Sequence, residues 1–212
     1  LVLVVGGGIA PAFTRNWLRA RGRDSAQVRT IPWMTPAGLG LALMVAVLVA
    51  LDIKGTLLAV LALAAALMAS LRLAGWSSWQ IRDEPLLWIL HLGHVWVVLG
   101  FVLLALAQWH WVAPTSWLHA LGAGAMGTTI MGVMTRVAVG HTGRAVALPP
   151  GGILLYALVL TAGGLRVLTA LGWLPWLSGV WLSAGLWSLA FAGFLLLYGP
   201  LLTRPRVDGK PG

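Results

Sequence analysis

The sequence has no cysteine. That excludes disulfides, thiolate metal sites and iron–sulfur clusters, and leaves histidine, methionine, carboxylate and backbone groups for any metal chemistry. Charge is scarce as well. Asp, Glu, Lys and Arg make up 9% of the residues, against roughly 25% in a soluble domain, so the chain lacks the polar surface needed to face water. Asp52, Asp83 and Glu84 stand in loops or at helix ends, and no acidic residue falls inside an apolar stretch. The carboxylate relay of many ion pumps is therefore not visible, and neither is a carboxylate pair or a serine triad. Gly6, Gly7 and Gly8 lie within an apolar run, so they do not read as a phosphate-cradling loop. No basic segment precedes the apolar residues Leu1 to Val5, as a secretory signal would need. These residues read as the end of a span, and the chain is expected to be a piece of a longer protein.

What is present is apolar. Hydrophobic residues make up 59% of the chain and the mean hydropathy is +0.91. A bilayer core of about 30 Å takes roughly 20 apolar residues per helix. Leu1 to Ala12 supply the second half of one span. Further spans are predicted over Met34 to Leu51, Gly55 to Leu71, Pro85 to Ala107, Ser116 to Val139, Ile153 to Leu171 and Trp176 to Leu202. Pro85 takes a natural helix-start position behind Asp83 and Glu84. The fold class is all-α, a polytopic transmembrane helix bundle with about six complete spans and a partial N-terminal one. Residues 1–212 form a single transmembrane domain.

Charge placement tests this count independently. Arg15, Arg19, Arg21, Arg23 and Arg29 precede the second span, and Arg72 and Arg82 follow the third. Arg136 and Arg144 follow the fifth, and Arg204, Arg206 and Lys210 end the chain. The alternate connections hold only Lys54 and Arg166. Basic residues gather in cytoplasmic loops, which puts the C-terminus inside and accounts for the net charge of +9 without nucleic acid. Tryptophans, which collect at both interfaces, agree. Trp17, Trp33, Trp76, Trp79 and Trp88 fall near the inner boundary, and Trp109, Trp111, Trp117, Trp173 and Trp176 near the outer one. Trp96 and Trp187 sit deeper, where ordinary helix packing is the plain reading and packing on a ring system the functional one.

Histidine carries the candidate chemistry. His91 and His94 stand three apart on the fourth predicted helix and share a face. Ionisable residues inside a span are costly and count as functional candidates, and neutral imidazole is the commonest metal or haem ligand in a cysteine-free site. The competing reading is a histidine bonded to a neighbouring helix. His119 opens the next helix and His141 follows its end, about 33 Å away at 1.5 Å per residue, so the two cannot share a metal. His119 belongs to the outer side with His110 close by, and His141 to the inner side with Arg136 and Arg144. An inner-half site at His91 or His94 is separate in depth from an outer site at His119, and either is expected to need ligands from helices outside this chain. Ala120, Gly124 and Thr128 form a stripe that allows close helix approach. Met126, Met131 and Met134 run beside it; thioethers can ligate reduced copper, but such methionines mostly pack. Arg136 and Arg144 suit haem propionates or anionic lipid, or simply mark topology.

The run His119-Ala-Leu-Gly-Ala-Gly-Ala-Met126-Gly-Thr128, continued by Val133-Met134-Thr135-Arg136 and Gly140-His141-Thr142-Gly143-Arg144, closely resembles the NnrS family. Pro11 to Trp17, Glu84 to Gly93 and Pro200 to Arg206 support it, so the signatures run along the whole chain. Proteins of that family are bacterial inner-membrane proteins of about twelve helices that contain haem and copper and are linked to denitrification and nitric oxide stress. The resemblance implies the C-terminal half of such a protein, haem and copper as cofactors, and nitric oxide as a partner besides the bilayer. It makes His91, His119 and His141 the metal candidates, with His94 beside them at a position where the family pattern more often has tyrosine. Whether such a protein turns over nitric oxide is left open. The rival readings are a cofactor-free permease-like transporter and an assembly factor for a respiratory complex.

Overall fold

The computed structural model describes residues 2–207 and 209; Leu1 and Lys210 lie outside the described residues. Helices account for the architecture, and no strand occurs among the described residues. In chain order they are α1 (Val2–Ala20), α2 (Met34–Ala50), α3 (Thr56–Ala74), α4 (Pro85–Gln108), α5 (Ser116–His119), a π-helical segment (Ala120–Met126), α6 (Gly127–His141), α7 (Gly152–Ala170) and α8 (Trp176–Leu202). α5, the π segment and α6 form one unbroken rod.

The starts and stops follow from local chemistry. Gly55 (φ 102°) and Gly151 (φ 88°) turn the chain into α3 and α7 through conformations that L side chains rarely adopt. Pro85 and Pro175 open α4 and α8, where a missing N–H costs nothing. The predicted spans match these helices to within three residues, except at the N-terminus. There the helix does not stop near Ala12 but continues to Ala20. Thr14, Arg15, Asn16 and Trp17 prolong it because nothing in them breaks a helix, although the stretch is too polar for lipid.

Four helices, α3, α4, α7 and α8, are long and apolar enough to cross a membrane. The expected six complete spans are a larger number than that. α2 is apolar but has only 17 residues, and the rod from Ser116 to His141 is not one continuous α-helix, because the π segment lies within it.

α4 is the hub. It is apolar on every face, as a helix surrounded by others must be, and packs against α1, α3, the π segment and α6. Of its most apolar window 56% is buried, against 17% for α8, so α8 turns most of its surface outward. One apolar core joins Trp76, Leu86, Ile89, Tyr156 and Tyr198 between α4, α6, α7 and α8. A second joins Leu58, Ala62, Ala66, Val97 and Leu104 between α3 and α4. α7 crosses the π segment backbone to backbone: a Cβ on Gly163 would stand 3.1 Å from the Cα of Gly124. The small-residue stripe thus does what its spacing implies.

Connections at the basic end dock on one another. Arg29 N donates to Gly75 O (2.8 Å), Ser77 Oγ to Gln27 O (2.7 Å) and Arg23 Nη1 to Gln80 O (3.0 Å). Trp17 Nε1 donates to Glu84 Oε2 at 2.7 Å, with Arg21 Nη2 4.0 Å from the same oxygen. Five of the ten boundary tryptophans are exposed, as expected of interface anchors (Trp33, Trp79, Trp111, Trp173 and Trp176), and Trp17, Trp88, Trp109 and Trp117 are half-buried. Trp76 is the exception. It is 1% exposed and packs inside the bundle.

Candidate functional site

The centre of the basic half is built on α4. Counting from Pro85, His91 lies about 9 Å along the helix at 1.5 Å per residue, and His94 is nearly one turn further. Both are buried. The indole of Trp76 lies against both rings, edge-on to His91 at 5.4 Å and tilted on His94 at 4.5 Å between centroids. The shared face expected from their spacing is real, and Trp76 fills the space between it and the neighbouring connection.

The hydrogen bonds settle the state of each ring. Thr14 Oγ1 donates its one proton to Ala10 O at 2.8 Å. The 3.1 Å contact between Thr14 Oγ1 and His91 Nε2 therefore has the imidazole as donor. His91 Nδ1 then accepts from Ser78 Oγ at 2.8 Å. A chain of directed bonds runs from Ser78 through the ring to Thr14 and Ala10, and both nitrogens of His91 are used. His94 differs. Its Nε2 stands 3.2 Å from the carbonyl of Ala69, which can only accept, so Nδ1 carries the lone pair. That nitrogen is buried without a partner.

His119 occupies a different setting at the opposite end. A cavity of about 370 Å³ is lined by His119, Gly122, Ala123, Arg166, Ser183 and Trp187, among others. It opens where the π segment faces α7 and α8. π segments occur frequently at functional sites, and here the widened turn presents Gly122 and Ala123 to the cavity. Arg166 stacks over Trp176 (5.2 Å), and its Nη1 is buried without a partner. Such a volume falls within the range of about 300–1,000 Å³ usual for small-molecule sites. A larger cavity of about 610 Å³ lies between the α2–α3 connection and the end of α4, with Asp52, Lys54, Gln108 and His110 on its walls. His110 belongs there, so it is not brought to the cavity of His119.

The remaining candidates stand apart. His141 is exposed, and its carbonyl accepts from Arg206 Nη1 at 2.9 Å. Arg136 stacks on Phe13 at 4.1 Å. Arg144 Nη1 is 3.4 Å from Leu201 O and 3.5 Å from Thr142 O. Of the three candidate methionines, Met131 is fully buried and Met126 exposed, so they form no common face. Trp187 lines the His119 cavity, and Trp96 packs on Gly124.

The structure adds Thr14, Ser78, Trp76 and Arg166, which spacing did not single out. Arg166 had a signal, being one of two basic residues on the sparsely charged side. Thr14 stood only within a stretch that supports the resemblance and Ser78 had no signal, since their role exists only once α1 and the α3–α4 connection fold onto α4.

Among the described residues, no three His, Asp or Glu side chains come together in a way that could hold a metal ion. Single donors are present: the buried lone pair of His94 and the imidazole of His119. The second, with a guanidinium in the same cavity, matches what a haem asks of a protein, an axial nitrogen and a cation for a propionate.

Compared with known families, residues 1–206 match the family model described as NnrS protein. That span contains every motif on which the resemblance was read. No curated protein and no solved structure matches the chain significantly.

Proposed function

This chain belongs to the NnrS family, and on that premise we propose that it is a haem- and copper-binding protein of the bacterial inner membrane that protects against nitric oxide and nitrosative stress. In this reading the C-terminus is cytoplasmic, the apolar helices make six spans, and the chain forms the C-terminal half of a longer bundle. The observation that carries the haem assignment is the cavity shared by His119 and Arg166. His119 would hold the iron and Arg166, Nη1 of which lacks a partner, a propionate; the bound group would supply nitric oxide binding at its iron. At the basic end Arg136 and Arg144 are proposed as further anion-pairing groups, and the exposed His141 takes no part in the haem or copper site. His94 contributes one copper donor, and the others come from outside the described residues. His91 acts through its hydrogen bonds, because both of its nitrogens are committed.

The test is an optical spectrum and metal analysis of the full-length protein beside His119→Ala, Arg166→Gln and His94→Ala. Loss or shift of the haem bands in the first two, and loss of copper in the third, is expected. Wild-type protein with neither haem absorbance nor copper, but with solute movement altered by the same substitutions, would replace this reading with a transporter.

A further inference from the structure

Arg72 stands within one turn of the end of α3 and is 6% exposed. A buried guanidinium is expensive unless its charge is met. Among the described residues, no carboxylate lies within 4.0 Å of it. Its hydrogen bond goes to a neutral group, from Nη2 to the carbonyl of Gly7 at 2.9 Å. One bond uses one of five donors.

Beside this side chain is a cavity of about 240 Å³, lined by Arg72 together with Arg29, Thr30, Thr35, Gly7 and Trp76, among others. It is smaller than the usual range for whole cofactors. Its walls carry two arginines and two threonines and no acidic residue. The surroundings are built to keep Arg72 in place. A Cβ on Gly7 would stand 2.7 Å from Nη2, and one on Gly75 would meet the carbonyl of Arg29 at 2.5 Å. The second approach is to backbone, so it requires glycine and fixes the Arg29 backbone at the cavity, whereas at Gly7 the end of the guanidinium takes the space a Cβ would fill.

We propose that this cavity is an anion site for a phosphate-type oxoanion, with Arg72 as its buried anchor and Arg29, Thr30 and Thr35 around its mouth. The guanidinium presents paired N–H groups in the plane that such an oxoanion accepts. Two sources share this chemistry: the headgroup of an anionic phospholipid, which lies at this depth of a bilayer, and free phosphate. The proposal is independent of haem and copper.

The test uses the full chain purified in neutral detergent. One arm titrates inorganic phosphate at constant ionic strength and reads binding by equilibrium dialysis. The other counts lipid phosphorus retained after exhaustive detergent exchange from phosphatidylglycerol-containing membranes. Saturable phosphate binding assigns the site to a free anion, and about one retained lipid per chain that phosphate does not displace assigns it to a headgroup. In either case Arg72→Gln should weaken binding about tenfold or more, Arg72→Lys less, and Arg29→Gln and Thr35→Val about threefold. The last two are exposed positions, so they carry the test if Arg72→Gln does not fold. Equal phosphate binding and equal retained lipid in wild type, Arg29→Gln and Thr35→Val would overturn the proposal, as would neither ligand on the wild type.

Discussion

Arg72 on α3 donates to the carbonyl of Gly7 on α1 at 2.9 Å, and the residue that makes that carbonyl available is Pro11. Proline has no N–H, so the carbonyl four residues before it loses its helical partner. α1 nevertheless runs through Pro11 without a break. A side chain from another helix takes over the bond the backbone cannot make, and Gly7 leaves room for it to arrive.

This arrangement predicts opposite outcomes at adjacent glycines. Gly7→Ala should displace the guanidinium and leave the Gly7 carbonyl without its partner, destabilising the protein by about 1–3 kcal/mol. Gly8→Ala meets nothing within 4 Å and should be neutral or slightly stabilising, because alanine favours helix. Thermal unfolding in detergent measures both, and equal midpoints for the two variants would remove Arg72 from this role.

Thr14→Val removes the acceptor of the His91 Nε2–H and keeps the shape of the side chain. A buried donor left without a partner costs about 1–3 kcal/mol. Thr14→Ser should keep most of the stability. If valine unfolds at the wild-type temperature, the Thr14–His91 bond contributes nothing to the fold.

The contact of α7 with the π segment gives a third expectation. At Gly163 the neighbour is backbone, which cannot swing aside, so Gly163→Ala should cost about 1–3 kcal/mol. Gly164 has open space, and Gly164→Ala should not. Comparable losses at both positions would mean that the close approach is absent.

His141 is exposed and far along the rod from His119. His141→Ala should leave the optical spectrum and the copper content of the full-length protein unchanged, whereas His119→Ala should alter the spectrum. A haem band that depends on His141 instead would move the site to the basic end.

Much of the architecture was legible in the sequence, and for a physical reason. Apolar length and the placement of arginine are set by the bilayer, so the helix positions from Met34 onward follow from the pattern of hydropathy and charge along the chain, although the π segment within the rod does not. The extension of α1 past Ala12 was not legible that way, because Thr14 and Arg15 continue a helix on propensity and packing rather than hydropathy. The site was legible only as residue types. His91 and His94 announce themselves by being ionisable in an apolar stretch, but one has both nitrogens bonded and the other a free lone pair. That difference is created by Thr14, Ser78 and Ala69, which lie 77, 13 and 25 positions away. Trp76 read as an interface anchor because a tryptophan near a helix end usually is one; here the histidine rings supply a better surface than the headgroups.

The seven residues from Ala120 to Met126 have a consequence for the rod that contains them. A π turn accommodates more residues than an α turn, so it shifts the phase of everything on one side relative to the other, by about 100° for each residue inserted. His119 and Thr135 can thus both face α7, His119 at the cavity it shares with Arg166 and Thr135 in its 2.6 Å bond to Tyr156, where an unbroken α-helix would set them about 160° apart. Deleting a single residue from this segment would swing His119 out of register with Arg166 and leave the lower half where it is.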